Sequence, residues 1–309
     1  MDISALILSI LGLCVFEIVS SLDNAVVNAD VLSTMSAKWR KWFLVWGIFF
    51  GVFLVRGLLP WLIVWISNPA LGPVGALTAS FSNDPRVAAS LEASSPILLV
   101  GGGLFLIFLF FHWLFLEQKN FGLVLEKQIS RQGAWFYPVV SVILAVVIWL
   151  AIKKDPMMAF AASLGASAFF ITHGFKEHAA RVELEMKDNK DMSDISKLIY
   201  LEILDATFSI DGVIGAFAFT MSVPIIIIGN GLGAIVVREL TLRGVDRIRN
   251  YPFLKNGAMY SIFFLGIVML ADSFGVHVPH YFAPLITFGV IGFFLRKSIL
   301  FQKRSQKAV

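Results

Sequence analysis

The sequence predicts an all-α fold: a polytopic transmembrane helix bundle of about nine spans with an inverted-topology internal repeat. Three observations predict it. The 309 residues are 58% hydrophobic and 15% charged, with a mean hydropathy of +0.80, whereas a soluble chain carries about a quarter charged residues. Several apolar stretches reach the roughly 20 residues that cross a hydrocarbon core of about 30 Å; the clearest, residues 42–66, has Arg56 as its only charge. An acidic motif occurs twice inside such stretches, at 17–24 and at 205–212.

Hydropathy divides the chain into nine segments, at 3–33, 42–66, 96–116, 136–152, 157–175, 198–221, 223–241, 257–275 and 282–301. A soluble helical protein would give its helices polar faces, and these segments mostly lack them. The Gly/Pro-punctuated stretch 67–95 reads as an external loop with a short helix or as a re-entrant piece. The first segment is too long for a signal-peptide core and lacks a basic leader and a cleavage site, so it reads as a span. All 309 residues form one transmembrane domain, with a first half at 1–116 carrying the first motif. A polar, cytoplasmic linker at 176–197 precedes a second half at 198–309 carrying the other.

Basic loops stay cytoplasmic. With the N-terminus outside, 21 of the 25 Lys and Arg fall on the inner side, only Arg86, Lys153 and Lys154 fall outside, and Arg56 lies within a span. An N-out, C-in protein of the plasma (inner) membrane is the expectation. The net charge of +4 is dispersed over short loops, which speaks against nucleic acid as a partner.

The motif reads Glu17-Ile-Val-Ser-Ser21-Leu-Asp23-Asn24 in the first copy and Asp205-Ala-Thr-Phe-Ser209-Ile-Asp211-Gly212 in the second. The pattern is acid, three residues, Ser, Leu or Ile, Asp, then Asn or Gly. Downstream, Gly51-Val-Phe-Leu-Val-Arg56 matches Gly233-Ala-Ile-Val-Val-Arg238, which places one arginine in the helix after each motif and makes Arg238 a candidate intramembrane residue. The first motif descends into the membrane and the second ascends, so the copies are antiparallel and reach similar depth. That is the arrangement of secondary transporters, whose substrates sit near the midplane between inverted repeats.

Buried carboxylates in a bilayer cost at least about 2.5–3.5 kcal/mol each and mark ion or proton paths. Glu17, Asp23, Asp205 and Asp211, with Glu202 one turn before Asp205, would repel one another unless protons or a cation neutralised them. The available ligands are oxygens: these carboxylates, Asn24, the hydroxyls of Ser21 and Ser209, and carbonyls freed if a helix breaks at Asp23–Asn24 or Asp211–Gly212. Such a set suits Mg²⁺, Ca²⁺ or Mn²⁺. The competing reading pairs the acids with Arg56 and Arg238 as buried salt bridges that only fix packing; two arginines against four or five acids leave negative charge over, so a mixed picture is favoured.

Other candidates carry less. Asp272 suits either an ion path or an interfacial helix end. His112 reads as hydrogen bonded within the bundle or interfacial. His173 and His178, five apart, do not share a helix face, and His277 and His280 sit in a short external loop. Gly101–Gly103 follows no strand and reads as close helix packing. The single cysteine, Cys14, excludes an intrachain disulfide and a cysteine-built metal site. No nucleophile pattern stands out, so neither an enzyme nor a prosthetic group is expected.

At these motifs the sequence resembles the TerC family of integral membrane proteins, marked by Ser-Leu-Asp-Asn after an acid in the first helix and a Phe-Ser-Asp-type motif in the second half. Here those are Glu17 with Ser21–Asn24, and Asp205 with Phe208-Ser-Ile-Asp211. The resemblance runs through both halves, with the motifs its specific part. It implies a membrane carrier linked to manganese efflux, historically named for tellurium resistance, with metal delivery to exported proteins as a related role. The stretch 67–95 and the extra spans depart from the compact members and resemble a branch of unknown function. The expected function is therefore a secondary transporter exporting a divalent cation, Mn²⁺ foremost, in exchange for protons. Glu17, Asp23, Asp205 and Asp211 would serve as ligands and proton carriers, Glu202 would join them, Ser21, Asn24 and Ser209 would be neutral ligands, and Arg56 and Arg238 would balance charge. The alternative is a membrane accessory that metalates or assists exported proteins without net transport. Expected partners are the ion, protons and the bilayer, with homo-oligomerisation left open.

Overall fold

Lipid offers the backbone no hydrogen-bond partner, so a spanning segment must satisfy its own amides, and helices do so. The computed structural model describes residues 3–47, 49–50, 56–79, 85–119, 121–188, 193–243, 251–279 and 281–306, and no strand occurs among them. The side chains of Asp23 and Asn24 lie outside the described set, as does His280.

The first apolar segment forms α1 (Ile3–Ser20) and α2 (Leu22–Ser33). The second holds α3 (Ala37–Trp42), a π-helical turn at Phe43–Gly47, and α4 (Arg56–Ser67). After a 3₁₀ turn, α5 (Gly72–Thr78) doubles back, the bend between Arg56–Ile66 and Pro69–Thr78 being 105°. Then follow α6 (Pro85–Leu116), α7 (Val124–Ile129), α8 (Phe136–Lys154) and α9 (Pro156–Asp188). The second half holds α10 (Asp194–Phe208), α11 (Ile210–Ala216), α12 (Val223–Arg243), α13 (Leu254–Ser273) and α14 (Phe282–Gln306).

Each of the nine apolar segments contains helix, but among the described residues only seven helices are long and apolar enough to cross a membrane unbroken, or eight with the bent pair α4–α5. The two segments that fall short are the second and the sixth. The sixth breaks at Ser209 into helices of 15 and 7 residues. The polar stretch after Lys176 continues as helix to Asp188, and residues 189–192 lie outside the described set.

Helix α6 is the axis of the bundle, packed on α13 and α9. Glycines permit this: a Cβ at Gly165 would lie 2.1 Å from the Gly101 carbonyl oxygen, and one at Gly103 would lie 2.9 Å from that of Gly266. The Gly101–Gly103 run is thus a helix-packing element, as small residues in membrane interiors usually are. On the periphery α8 exposes Val142, Val146, Trp149 and Ile152, a face that water would not solvate and lipid does. Trp39, Trp42, Trp46 and Phe49 form a chain of ring contacts, tilted, stacked and edge-on in turn, around the start of the second segment, in keeping with the aromatic belts of membrane interfaces. At the end of α13 Gly275 takes φ 95°, and the bonds Val276 N–H to Ala271 O and Gly275 N–H to Asp272 O close the helix.

Candidate functional site

Both motifs bend their helices at the serine. Ser21, with φ −93° and ψ 4°, separates α1 from α2, and Ser209, with φ −76° and ψ −14°, separates α10 from α11. Serine hydroxyls compete for backbone carbonyls and bend helices. The Ser209 hydroxyl donates to the Asp205 carbonyl at 2.5 Å, and that of Ser20 to the Glu17 carbonyl at 3.3 Å. The helical ladder persists across each bend, Ser21 N–H reaching Glu17 O at 3.1 Å and Ser209 N–H reaching Asp205 O at 3.0 Å. The expectation of carbonyls freed at Asp23–Asn24 or Asp211–Gly212 is corrected accordingly. The bends fall two residues earlier and leave the carbonyls of Glu17 and Asp205 engaged.

The side chains of these two acids meet over Arg56, which rises from the first turn of α4. Its Nε and Nη2 donate to Glu17 Oε1 at 2.9 and 2.6 Å, and its Nη1 to Asp205 Oδ2 at 3.4 Å. The Ser21 hydroxyl adds a 2.9 Å bond to the same Glu17 oxygen. From α12, Arg238 Nη2 contacts Asp205 Oδ2 at 3.4 Å and Glu202 Oε2 at 3.4 Å. Glu17, Arg56, Asp205 and Arg238 are all buried. A continuous ladder, Glu17–Arg56–Asp205–Arg238–Glu202, therefore crosses the interior, each guanidinium fixed by its planar fork of donors. Arg238 is buried in the bundle, within the apolar helix Val223–Thr241.

Two residues that sequence reasoning missed support the ladder. The Phe43 carbonyl, in the π-helical turn, accepts from Arg238 Nη1 at 2.6 Å while its ring lies 4.2 Å from the guanidinium carbon; π turns displace carbonyls from the regular ladder and recur at functional sites. Gly47 lets Glu202 approach: a Cβ there would sit 2.0 Å from Glu202 Oε1 and 2.2 Å from Arg238 Nη1. A glycine in a Trp/Phe-rich helix was the available signal for the second, and nothing in the sequence marked the first.

Asp211 does not join the ladder. Its Oδ2 receives Lys176 Nζ of α9 at 2.5 Å, beside a cavity of about 560 Å³ that Val19, Ser20 and Asp211 line along with residues of α6, α9 and α13. Yet the two sites adjoin. Glu17 Oε2 would lie 2.6 Å from a Cβ at Gly212. Glu17 Oε2 and Asp211 Oδ1 are both buried without a hydrogen-bond partner among the described residues.

The two motif-bearing segments run in opposite directions. Their far ends meet where Ser36 N–H and Oγ–H donate to Asp194 Oδ2 at 3.1 and 2.7 Å and Lys197 Nζ donates to Thr34 Oγ1 at 3.1 Å. The end of α2 thus sits at the start of α10, while Glu17 and Asp205 share Arg56 deeper in. Helix α12 closes on α1 through Gly229 and Gly233; a Cβ at Gly233 would be 2.6 Å from Glu17 Cβ, so this contact sets the depth of the first acid.

Residues 22–305 match the family described as "Protein of unknown function (DUF475)". The chain belongs to the DUF475 family. Over 83 residues this DUF475 chain is also 30% identical to the uncharacterized membrane protein YceF of Bacillus subtilis, covering 27% of the chain and 32% of that relative. Over 95 residues it is 28% identical to a UPF0053 protein of Haemophilus influenzae, covering 31% and 40%. The matched stretches span a third to two fifths of those relatives. No solved structure matches the chain. With its apolar helices, the DUF475 chain is a multi-pass membrane protein.

Proposed function

We propose that this chain is a secondary transporter that exports a divalent cation, Mn²⁺ foremost, in exchange for protons, from an N-out, C-in position in the plasma membrane. The observation that carries the reading is the pair of buried, unpartnered carboxylate oxygens, Glu17 Oε2 and Asp211 Oδ1, one from each motif, set beside a charge ladder in the bundle interior. A buried carboxylate oxygen with no donor costs about 1–3 kcal/mol or more, and a proton or a hard cation at that position offsets the cost. The antiparallel motif segments and their matched serine bends support an inverted repeat, and the TerC resemblance supports Mn²⁺ as the ion.

Arginine stays protonated at any physiological pH, so protons ride on the carboxylates. Glu17, Asp205 and Glu202 carry one negative charge more than Arg56 and Arg238 neutralise. An incoming cation competes with Arg56 for Glu17 and Asp205 and with Lys176 for Asp211, and protonation of those carboxylates on the far side releases it. Alternating access then amounts to exchanging guanidinium, cation and proton at fixed acids.

The test is uptake of radioactive Mn²⁺ into proteoliposomes holding the purified chain. Flux is expected for the natural sequence and its loss for Glu17→Gln and Asp211→Asn. Saturable Mn²⁺ binding with no flux in the natural sequence would instead support a metal-handing accessory, and neither binding nor flux would sink both readings.

A further inference from the structure

The cavity beside Lys176 and Asp211 has a second chemical wall. His112 on α6 is buried, His173 on α9 is half-buried, and Glu177 follows His173 by four residues on the same helix face. Phe136 meets the His112 ring edge-on at 5.4 Å, and Phe169 stacks on His173 at 5.7 Å, so apolar walls fix both imidazoles. Their ring centroids lie 3.6 Å apart. His173 Nε2 is buried with no hydrogen bond, its nearest acidic oxygen being Glu177 Oε1 at 3.4 Å. One ligand atom from each of the three residues falls within a common 4.8 Å.

We propose that His112, His173 and Glu177 bind a first-row divalent cation of borderline softness, such as Zn²⁺ or Co²⁺, at a site separate from the charge ladder. Two imidazoles and one carboxylate are a recurrent ligand set for such ions. Ligands about 2.0–2.2 Å from one ion sit at most roughly 4.4 Å apart. Glu177 Oε1 already lies 3.4 Å from His173 Nε2, and its exposed side chain has rotamer freedom to adjust to an ion. Two imidazolium rings at this separation would repel, and the cations nearby, Lys176 and Lys255, add to that repulsion even though Asp211 and Glu117 pair with them. The neutral imidazole is the form that ligates. The cavity leaves room for a water or a further ligand. The site shares no residue with the proposed transport acids, so the inference goes beyond the transport reading and stands or falls apart from it.

The experiment is a Co²⁺ titration of the metal-stripped, full-length protein in detergent, read by visible d–d bands and by Zn²⁺ displacement. One equivalent with imidazole-type bands is expected, weakened at least ~10-fold in Glu177→Gln and lost in His173→Asn, while His277→Asn, whose exposed imidazole lies outside the cavity, keeps the same bands. Glu177 is exposed, so its variant is not expected to disturb folding, and size-exclusion profiles verify this. Absence of imidazole-type Co²⁺ bands in the natural sequence, undiminished affinity in Glu177→Gln, or an equal loss of the bands in His277→Asn overturns the proposal.

Discussion

Arg56 holds two carboxylates from opposite halves of the chain, and its removal strands them. Breaking one partner of a buried ion pair costs about 3–5 kcal/mol, whereas replacing the whole pair with neutral groups is often close to neutral. Arg56→Met is therefore expected to lower thermal stability in detergent sharply, and Glu17→Gln in the same chain to restore much of the loss; additive losses would contradict the pairing. At Gly47 an added methyl meets Glu202 Oε1 and Arg238 Nη1, and overpacking of this kind costs about 1–3 kcal/mol. Gly47→Ala is expected to show that loss in a thermal melt, with Glu202→Ala partly relieving it. The motif acids and both arginines were legible as single residues because charge in apolar sequence is conspicuous. Their partition was not: Asp211 faces Lys176, which reads as part of a polar linker until α9 is seen to carry it back against the bundle. His112 and His173 come together only through helix packing, and the i,i+4 spacing of His173 and Glu177 was the overlooked local cue.

At the scale of elements, the break at Ser209 splits the sixth segment and the bend after α4 cuts the second short. A hydropathy window sums over such interruptions without registering them, so nine apolar segments are legible where, among the described residues, seven helices are long enough by themselves and an eighth span needs the bent pair α4–α5. The α1–α12 contact depends on Gly233 lying against Glu17; Gly233→Leu is expected to push α1 away, abolish flux and lower the melting temperature. Where α2 meets α10, the two Ser36 bonds hold the Asp194 carboxyl below its usual range. A depressed carboxyl contributes stability that is present above its unfolded value and lost as pH falls through its folded one. Asp194→Asn is accordingly expected to flatten the acid limb of the melting profile slightly. Lys119 behaves oppositely. Burial, together with Lys255, pushes its ammonium down to about 8, so the charge costs stability below that pH and the cost fades as pH rises towards the ordinary lysine value. Its amine is expected to half-titrate near pH 8 in reactivity profiling by mass spectrometry.

For the whole molecule, the basic-loop asymmetry and the meeting of α2 with α10 both support the proposed topology, in which the two motifs enter the membrane from opposite sides. With Cys14→Ser as background, a cysteine placed at Gln302 is expected to react with an impermeant maleimide only after the cells are opened, and one at Lys153 in intact cells. The central claim is that buried carboxylates exchange a divalent cation for protons. It is tested most directly by recording Mn²⁺ entry and luminal pH together in proteoliposomes of the natural sequence. Mn²⁺ entry with simultaneous proton exit, both abolished by Glu17→Gln, is the predicted result; Mn²⁺ entry with no pH change, or proton movement indifferent to Mn²⁺, would contradict it.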